Sequence, residues 1–586
     1  MAEQTSDDSD TSSFHSWFCM VVFIIDIFFI ILAPSVPIFP TIHTINKWFR
    51  YLRSFFRRQN QDDAHHDESE SAFYRIDLDM SWASIIAIIV LLISGTLDLQ
   101  NMKIGLLGAE DQHLKPYSIL LLFMSLSYVC VSLDITGLFS WMANWIIKKS
   151  NYNGHKLFIW FSLFASVLTI FTSNDIVILT LTPICCYMCS CSKNLDPVPY
   201  VISQFFLANV WSVLLEIGNP TNVIVALAYD LNFLVYSKWM AIPAIASGLV
   251  CFALLYILFF SSIPKKIEMN DKISEPSEKK PSQPINTTMD ELESNHDEEI
   301  TIENVEVLPS NTQDENKLIL ENEQEEKKTS NLDIKASIIK SIALVLCLIT
   351  LSVTSLIKFG DSGETFPPWI VTCSFFGFSL IYDTVMDGIQ IFKLYRLGRG
   401  YRAFSSDIWK VLKRLPWKII PFILSMFTIV QLLNYYGWTD LLAKKAAELI
   451  SSLSGKVINS EEPSIQSILA ATMVMSYLSA IACNIINNQP MTILFTSVIS
   501  SKEYKILSPT QRKGSMFTLI LGSNFGANLT LFGALAGIMF LAILRQNGIS
   551  NKQINYLVFL KYGLIVTPLV ILVGGFTIFL ELLFFE

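Results

Sequence analysis

The sequence has no basic patch interleaved with aromatics, so nothing in it points to nucleic acid. It shows no nucleophile–base pair, no phosphate-cradling glycine loop and no metal-ligand set, which leaves an enzyme reading without support and implies neither cofactor nor resident metal. Its ten cysteines lie mostly in apolar runs, without the paired spacing of an extracellular disulfide framework. No basic n-region precedes the first apolar run near Trp17, so that run is expected to stay as a span rather than be cleaved as a signal peptide.

What is present is apolar surface. Of 586 residues, 52% are hydrophobic, and the mean hydropathy of +0.45 excludes an ordinary soluble protein. Many runs approach the ~20 residues that cross a bilayer as a helix. The net charge of −9 hides an uneven distribution. Much of the acid falls in residues 263–335, while Lys and Arg cluster in short loops.

In chain order, an acidic tail (Asp7, Asp8, Asp10) reads as disordered. Spans are expected at about 17–39, with Asp26, at 82–99 and at 117–141, with Asp134. Residues 157–190 have Ser173-Asn174-Asp175 at their midpoint and suggest a hairpin that enters the membrane and returns. A carboxylate and an amide at that depth cost several kcal/mol unless they meet water, a partner or a ligand. Residues 200–228 are a span broken at Glu216-Ile217-Gly218-Asn219-Pro220-Thr221-Asn222, and another span follows at 239–262. Residues 263–335 read as a disordered cytoplasmic linker. The plan then repeats, with spans at 337–357, 369–391 and 419–438, a hairpin at 466–500 around Asn487-Asn488, a broken span at 514–545 with Gly522…Asn528, and a last span at 556–583.

Three features recur in order at nearly constant spacing: Asp134…Gly137 with Asn434…Gly437, Asn174-Asp175 with Asn487-Asn488, and Gly218…Asn222 with Gly522…Asn528. This argues for an internal duplication. Placing the basic loops 41–79, 142–156 and 392–418 in the cytoplasm gives about ten transmembrane helices plus two re-entrant hairpins, an odd number of crossings between equivalent features, and so two inverted repeats. The expected division is 1–80 (tail, first helix and charged loop), 81–262 (first repeat), 263–335 (linker) and 336–586 (second repeat). The fold class is an all-α polytopic membrane protein with broken helices at the midplane. Plasma membrane and endomembrane are not distinguished.

Transporters built this way bind solute near the bilayer midplane between discontinuous helices, whose ends present free backbone groups. The candidate solute or ion site is Ser173, Asn174, Asp175, Gly218, Asn219, Thr221 and Asn222 from the first half. The second half adds Asn487, Asn488, Gly522, Ser523, Asn524, Asn528 and Thr530. Ser, Thr and Asn often only glue helices together, any one of these Ser or Thr residues equally so, and Gly/Pro breaks are common in membrane helices. Asp175, Glu216 and Asp134 are the candidate proton carriers, with Asp175 first. Cys185, Cys186, Cys189 and Cys191 form a cluster open to packing, acylation or soft-metal capture, with the first two favoured. Asn286-Thr287-Thr288 is a glycosylation sequon in the linker placed in the cytoplasm, where it goes unused.

Four ordered segments resemble a known family. They are Leu157–Pro183 (Asn-Asp…Leu-Thr-Pro), Leu412–Leu442 (Leu-Pro-Trp…Gly-Trp-Thr-Asp), Ile485–Thr492 (Asn-Asn-x-Pro) and Gly522–Leu544 (Gly-x-x-x-Gly…Leu-Thr…Gly-x-Leu-Ala). Over roughly 82–262 and 337–583 the chain is similar to ArsB-type arsenite/antimonite permeases, within the ion-transporter superfamily of sodium/proton antiporters, dicarboxylate carriers and the P protein. The resemblance implies an elevator-type carrier, an antiporter, with both hairpins and both broken helices in its moving part. It matches Asp175 and Asp134 to family acids and implies a small inorganic or organic solute, H+ or Na+ as coupling ion, surrounding lipid and a homodimer. Asn524 stands where many ArsB-type proteins have an acid, Asn528 where they often have Lys, and Gly-Asn-Pro-Thr-Asn looks more like anion permeases. The leading expectation is therefore proton-coupled arsenite/antimonite efflux. The alternatives are a sodium- or proton-coupled anion carrier and a non-transporting receptor on the same fold.

Overall fold

The computed structural model describes residues 4–32, 35–40, 73–77, 80–108, 115–190, 192–268, 333–359, 364–396, 406–454, 463–550 and 553–585. The sequon at Asn286 and nearly all of the 263–335 linker lie outside them. Two short strand pairs, 35–40 with 73–77 and 358–359 with 364–365, accompany the helices among the described residues. Nine helices among the described residues are long and apolar enough to cross a membrane, and three shorter apolar helices join them.

The first half comprises α1 (Gln4–Leu32), α2 (Met80–Ile93), α3 (Leu99–Leu107), α4 (Pro116–Ile135), α5 (Leu138–Lys149), α6 (Gly154–Phe171), α7 (Asn174–Ser190), α8 (Pro197–Trp211), α9 (Pro220–Ala228) and α10 (Phe233–Phe259). The second comprises α11 (Ile334–Thr354), α12 (Pro368–Arg396), α13 (Asp407–Arg414), α14 (Ile419–Tyr435), α15 (Trp438–Ser454), α16 (Ile465–Ile486), α17 (Asn488–Ser500), α18 (Pro509–Phe525), α19 (Leu535–Gln546) and α20 (Tyr556–Phe585).

From α4 to α10 and from α14 to α20 the order of elements is the same. At the first joint of each series a glycine takes the left-handed conformation, Gly137 at φ 80° and Gly437 at φ 79°. Both bond back to the carbonyl three residues earlier, Asp134 and Asn434, so the chain turns sharply into the next helix. Each hairpin then folds back on itself, and each broken helix splits in two. Asn219 and Ala534 open the second segments with nearly identical extended backbones (φ −154°, ψ 143° and φ −148°, ψ 156°).

The two series interlock by exchange. The second segment α9 of the first half packs on the hairpin arm α17 of the second, and α19 packs on α7. Helix α4 is enclosed by α11, α12 and α13, whereas α14 is enclosed by α1, α2 and α3. The equivalent spans α10 and α20 lie side by side and antiparallel, since Phe259 meets Tyr562 with tilted rings (centroids 4.7 Å) while Ser247 Oγ donates to Val570 O (3.3 Å).

Local sequence explains the elements. Pro197, Pro220 and Pro509 stand in the first turns of their helices, where a missing N–H costs nothing. Asp196, Asn219 and Ser508 cap those helices by accepting a backbone N–H, and Ser508 completes a capping box with Gln511. One buried ion pair sits away from the hairpins. Lys340 Nζ meets Asp383 Oδ1 at 2.7 Å. Asp383 Oδ2 also accepts from Tyr128 (3.0 Å) and Ser132 (2.8 Å), which fixes α4 against α11 and α12.

Three expectations need correction. Residues 4–15 continue α1 instead of being without structure, because a helix once nucleated by its apolar turns propagates cheaply. The amphipathic helices α5, α13 and α15 were not foreseen as separate elements, since their mixed polarity hides them from a search for apolar runs. On α5, Lys149 lies over Trp145 (4.5 Å) and Trp160 (5.0 Å), an arrangement suited to a membrane interface. The register of the duplication also shifts. Asn174 and Asn488 each open a return arm, so Asp175 matches Gln489. Gly522–Asn528 ends the first segment of its broken helix, whereas Gly218–Asn222 begins the second segment of its own.

Candidate functional site

The first hairpin turns at Thr172 and Ser173. Ser173 Oγ accepts from Ile176 N (3.3 Å), and the turn delivers Asn174 as the first residue of α7, almost fully buried. The second turns at Asn487, a non-glycine at φ 66° whose side chain caps α17. Such backbone strain persists where the surroundings hold it. Here Asn487 Nδ2 donates to Phe532 O (3.2 Å), and Asn488 N donates to Gly533 O (3.0 Å). Asn484 adds a bond to Gly526 O (2.8 Å) and accepts from Thr530 Oγ1 (2.6 Å). The second tip is thus bolted to the second break.

The first tip reaches the same place through side chains. Asn174 Nδ2 donates to Asn209 Oδ1 (2.9 Å), Asn209 Nδ2 to Asn528 Oδ1 (2.8 Å), and Asn528 Nδ2 to Phe206 O (3.1 Å). A backbone carbonyl only accepts, so Phe206 dictates which end of Asn528 faces it, and the orientation propagates to Asn209 and Asn174. The outcome is that Asn174 leaves its oxygen, not its nitrogen, without a partner.

The two breaks are joined likewise. Asn222 Nδ2 donates to Ser212 O (2.8 Å) and Leu215 O (3.2 Å), which leaves Asn222 Oδ1 to accept from Asn524 Nδ2 (2.8 Å). Asn524 Oδ1 accepts from Ser212 Oγ (2.9 Å), and Ser523 Oγ donates to Thr221 Oγ1 (3.2 Å). Asn219 turns inward to cap Thr221 N (3.0 Å). Close approach requires a glycine at each break. A Cβ on Gly218 would lie 2.1 Å from Ser212 O, and one on Gly522 would lie 1.8 Å from Ser479 Oγ.

Asn174 and Asn528 are therefore brought into one bonded set with Asn209, and Asn219, Thr221, Asn222, Ser523 and Asn524 into a second, which Ser212 Oγ links to the first at the Asn209 carbonyl (2.9 Å); Asn487 and Thr530 flank them. Buried acceptors with no partner among the described residues lie on both tips: Asn174 Oδ1, Asn488 Oδ1 and Gln489 Oε1. Polar atoms left unpaired at such depth call for an occupant. Asp175 is half-buried in the first turn of α7, where the helix dipole favours a carboxylate. Asp134 stands elsewhere, bonded to Thr180 Oγ1 (3.1 Å) and paired with Arg414 Nη1 (2.9 Å), and it ties α4 to α7 and α13. Cys185, Cys186 and Cys189 are buried in α7, and Cys191 lies outside the described residues.

Asn209, Ser212 and Gln489 were not singled out from the sequence. The signal for Asn209 was present, an amide inside the apolar run Phe205…Leu214, but it carries no break of its own to draw notice.

An arsenical pump membrane protein of Yersinia enterocolitica is 22% identical over 454 residues, covering 76% of this chain and 82% of that protein. The human P protein is 24% identical over 429 residues, covering 70% of this chain and 48% of that protein, so this chain spans about half of it. The solved YdaH transporter of Alcanivorax borkumensis covers 98% of both chains at 12% identity and a TM-score of 0.46. A family profile described as citrate transporter, CitMHS, matches residues 71–511, most of the chain. With its apolar helices, this makes the chain a multi-pass integral membrane protein that belongs to the citrate transporter family.

Proposed function

We propose that the protein is a secondary carrier whose solute site lies where the two hairpin tips and the two helix breaks converge, and that it moves arsenite, antimonite or a similar small solute in exchange for protons. The observation that carries this reading is the side-chain network Asn174–Asn209–Asn528, which joins the first tip to the second break without a charged group. The free atoms beside it are neutral acceptors. Arsenite is a neutral hydroxide near neutral pH, and its O–H groups are donors that such acceptors suit. The arsenical-pump names of several relatives favour the same solute.

The antiparallel contact of α10 with α20, together with the exchange packing, supports reading 81–262 and 336–586 as inverted repeats. The hairpins and broken helices would then move as one body against α1–α4 and α11–α14. Gly-Asn-Pro-Thr-Asn and the family description favour a second reading, a sodium- or proton-coupled anion carrier. Flux into sealed vesicles separates the two. Arsenite movement driven by a pH gradient supports the first, and citrate movement driven by a sodium or pH gradient, with arsenite inert, replaces it by the second.

A further inference from the structure

Three acids were candidates for holding a coupling proton, and their surroundings differ in kind. Asp134 has Arg414 and Thr180 as partners and is satisfied as a carboxylate. Asp175 is half-buried at a helix N-terminus, which suits a negative charge. Glu216 is 1% exposed, and neither carboxyl oxygen has a hydrogen-bond partner among the described residues. It lies in the short 3-10 turn Glu216–Gly218 between α8 and α9, packed on α6, α9 and α10.

The groups facing it offer no compensation. The ionisable residues of α6, His155 and Lys156, are confined to its first turn, and α9 has none. On α10, Lys238 is exposed to solvent or lipid, and Tyr236 donates its hydroxyl proton to Val213 O (3.1 Å). A bare carboxylate there, with no cation and no donor among the described residues, would be strongly disfavoured.

We propose that Glu216 is a proton-binding site, separate from the amides that face the solute, and that in this conformation it carries its proton. The turn that holds it is tied to the solute network, because Asn222, in the first turn of α9, donates back across the break to the carbonyls of Ser212 and Leu215, which precede Glu216. Releasing the proton leaves a charge that needs water or a cation, and admitting either requires the break to open. Opening breaks the Asn222 bonds and with them the contact to Asn524. Proton loss at Glu216 and rearrangement of the solute site are therefore one event. The coupling role rests on the carrier reading above, whereas the proton site itself does not.

The test is infrared spectroscopy of the purified full-length protein in lipid. At neutral pH the wild type is expected to show a protonated-carboxyl C=O band that is lost in Glu216→Gln and in Glu216→Leu, and kept in Asp175→Asn and Asp134→Asn. The Gln variant keeps shape and neutrality, and the Leu variant keeps the site apolar. A band untouched by either Glu216 variant overturns the proposal. So does a wild type without the band, whether or not sodium chloride raises its melting temperature over choline chloride. In vesicles, Glu216→Gln is expected to abolish pH-driven arsenite flux while arsenite exchange at equal pH persists, and undiminished pH drive overturns the coupling role. If wild type moves no arsenite at all, the solute reading fails and the band still decides the proton site.

Discussion

Asn209 donates to Asn528 at 2.8 Å although 319 positions separate them in the chain. That bond joins a helix of the first half to the break of the second. It stands in the middle of a relay whose direction is set at one end by the Phe206 carbonyl. A relay of this kind is cooperative, because turning any one amide leaves its neighbours facing like atoms.

Replacing Asn209 by Leu should cost about 1–3 kcal/mol of stability, the penalty for leaving buried amide groups unpaired. In an Asn174→Ala background the same change should cost less, since one of the two orphaned groups is already gone. Thermal melting of the four proteins of this double-mutant cycle measures the difference. Additive losses would mean that Asn209 does not act through Asn174.

Two acid–base pairs pack around α4, Lys340–Asp383 and Asp134–Arg414, and their loss should differ in size. Lys340 and Asp383 are 6% and 2% exposed, and Lys340→Met leaves a buried carboxylate uncompensated at a cost of about 3–5 kcal/mol. Adding Asp383→Leu should recover most of it. The Arg414 partner of Asp134 is 54% exposed, so Arg414→Gln should cost under about 1 kcal/mol and depend on salt. Melting temperatures at low and high ionic strength distinguish the pairs.

Gly522 and Gly437 are required for different reasons. No atom lies within 4 Å of a Cβ built on Gly437, so Gly437→Ala should cost only the left-handed strain, about 1–2 kcal/mol. At Gly522 the added methyl meets Ser479 Oγ and, at 2.7 Å, the Ser476 carbonyl. Gly522→Ala should therefore destabilise by about 1–3 kcal/mol or more by overpacking. Ser479→Ala should relieve it only in part, because the carbonyl remains. Full rescue would show that the backbone there yields.

Asp175→Asn should weaken solute binding and spare the proton drive. Asp175 follows Asn174 in the first turn of α7, where its carboxylate would accept from a solute hydroxyl, and losing such a charge-assisted bond of about 1.5–3 kcal/mol raises half-saturation roughly tenfold or more. Concentration dependence of vesicle flux, with and without a pH gradient, checks both parts. Loss of the gradient's effect in Asp175→Asn would return the coupling role to Asp175.

The sequence by itself determined the membrane class, the duplicated order, both hairpins and both breaks. Apolar runs of membrane length and the rare residues that interrupt them are local signals that water and lipid enforce directly. It named Asn174, Asn222, Asn524 and Asn528 because amides are conspicuous in such runs. Only the tertiary structure decided what each one meets. The exchange of α9 and α19 between the halves, the partnership of Asn209 with Asn528, and the difference between a paired Asp134 and a Glu216 with no hydrogen-bond partner among the described residues all depend on contacts between distant segments. Those contacts follow from side-chain packing in three dimensions, which no periodicity along the chain records.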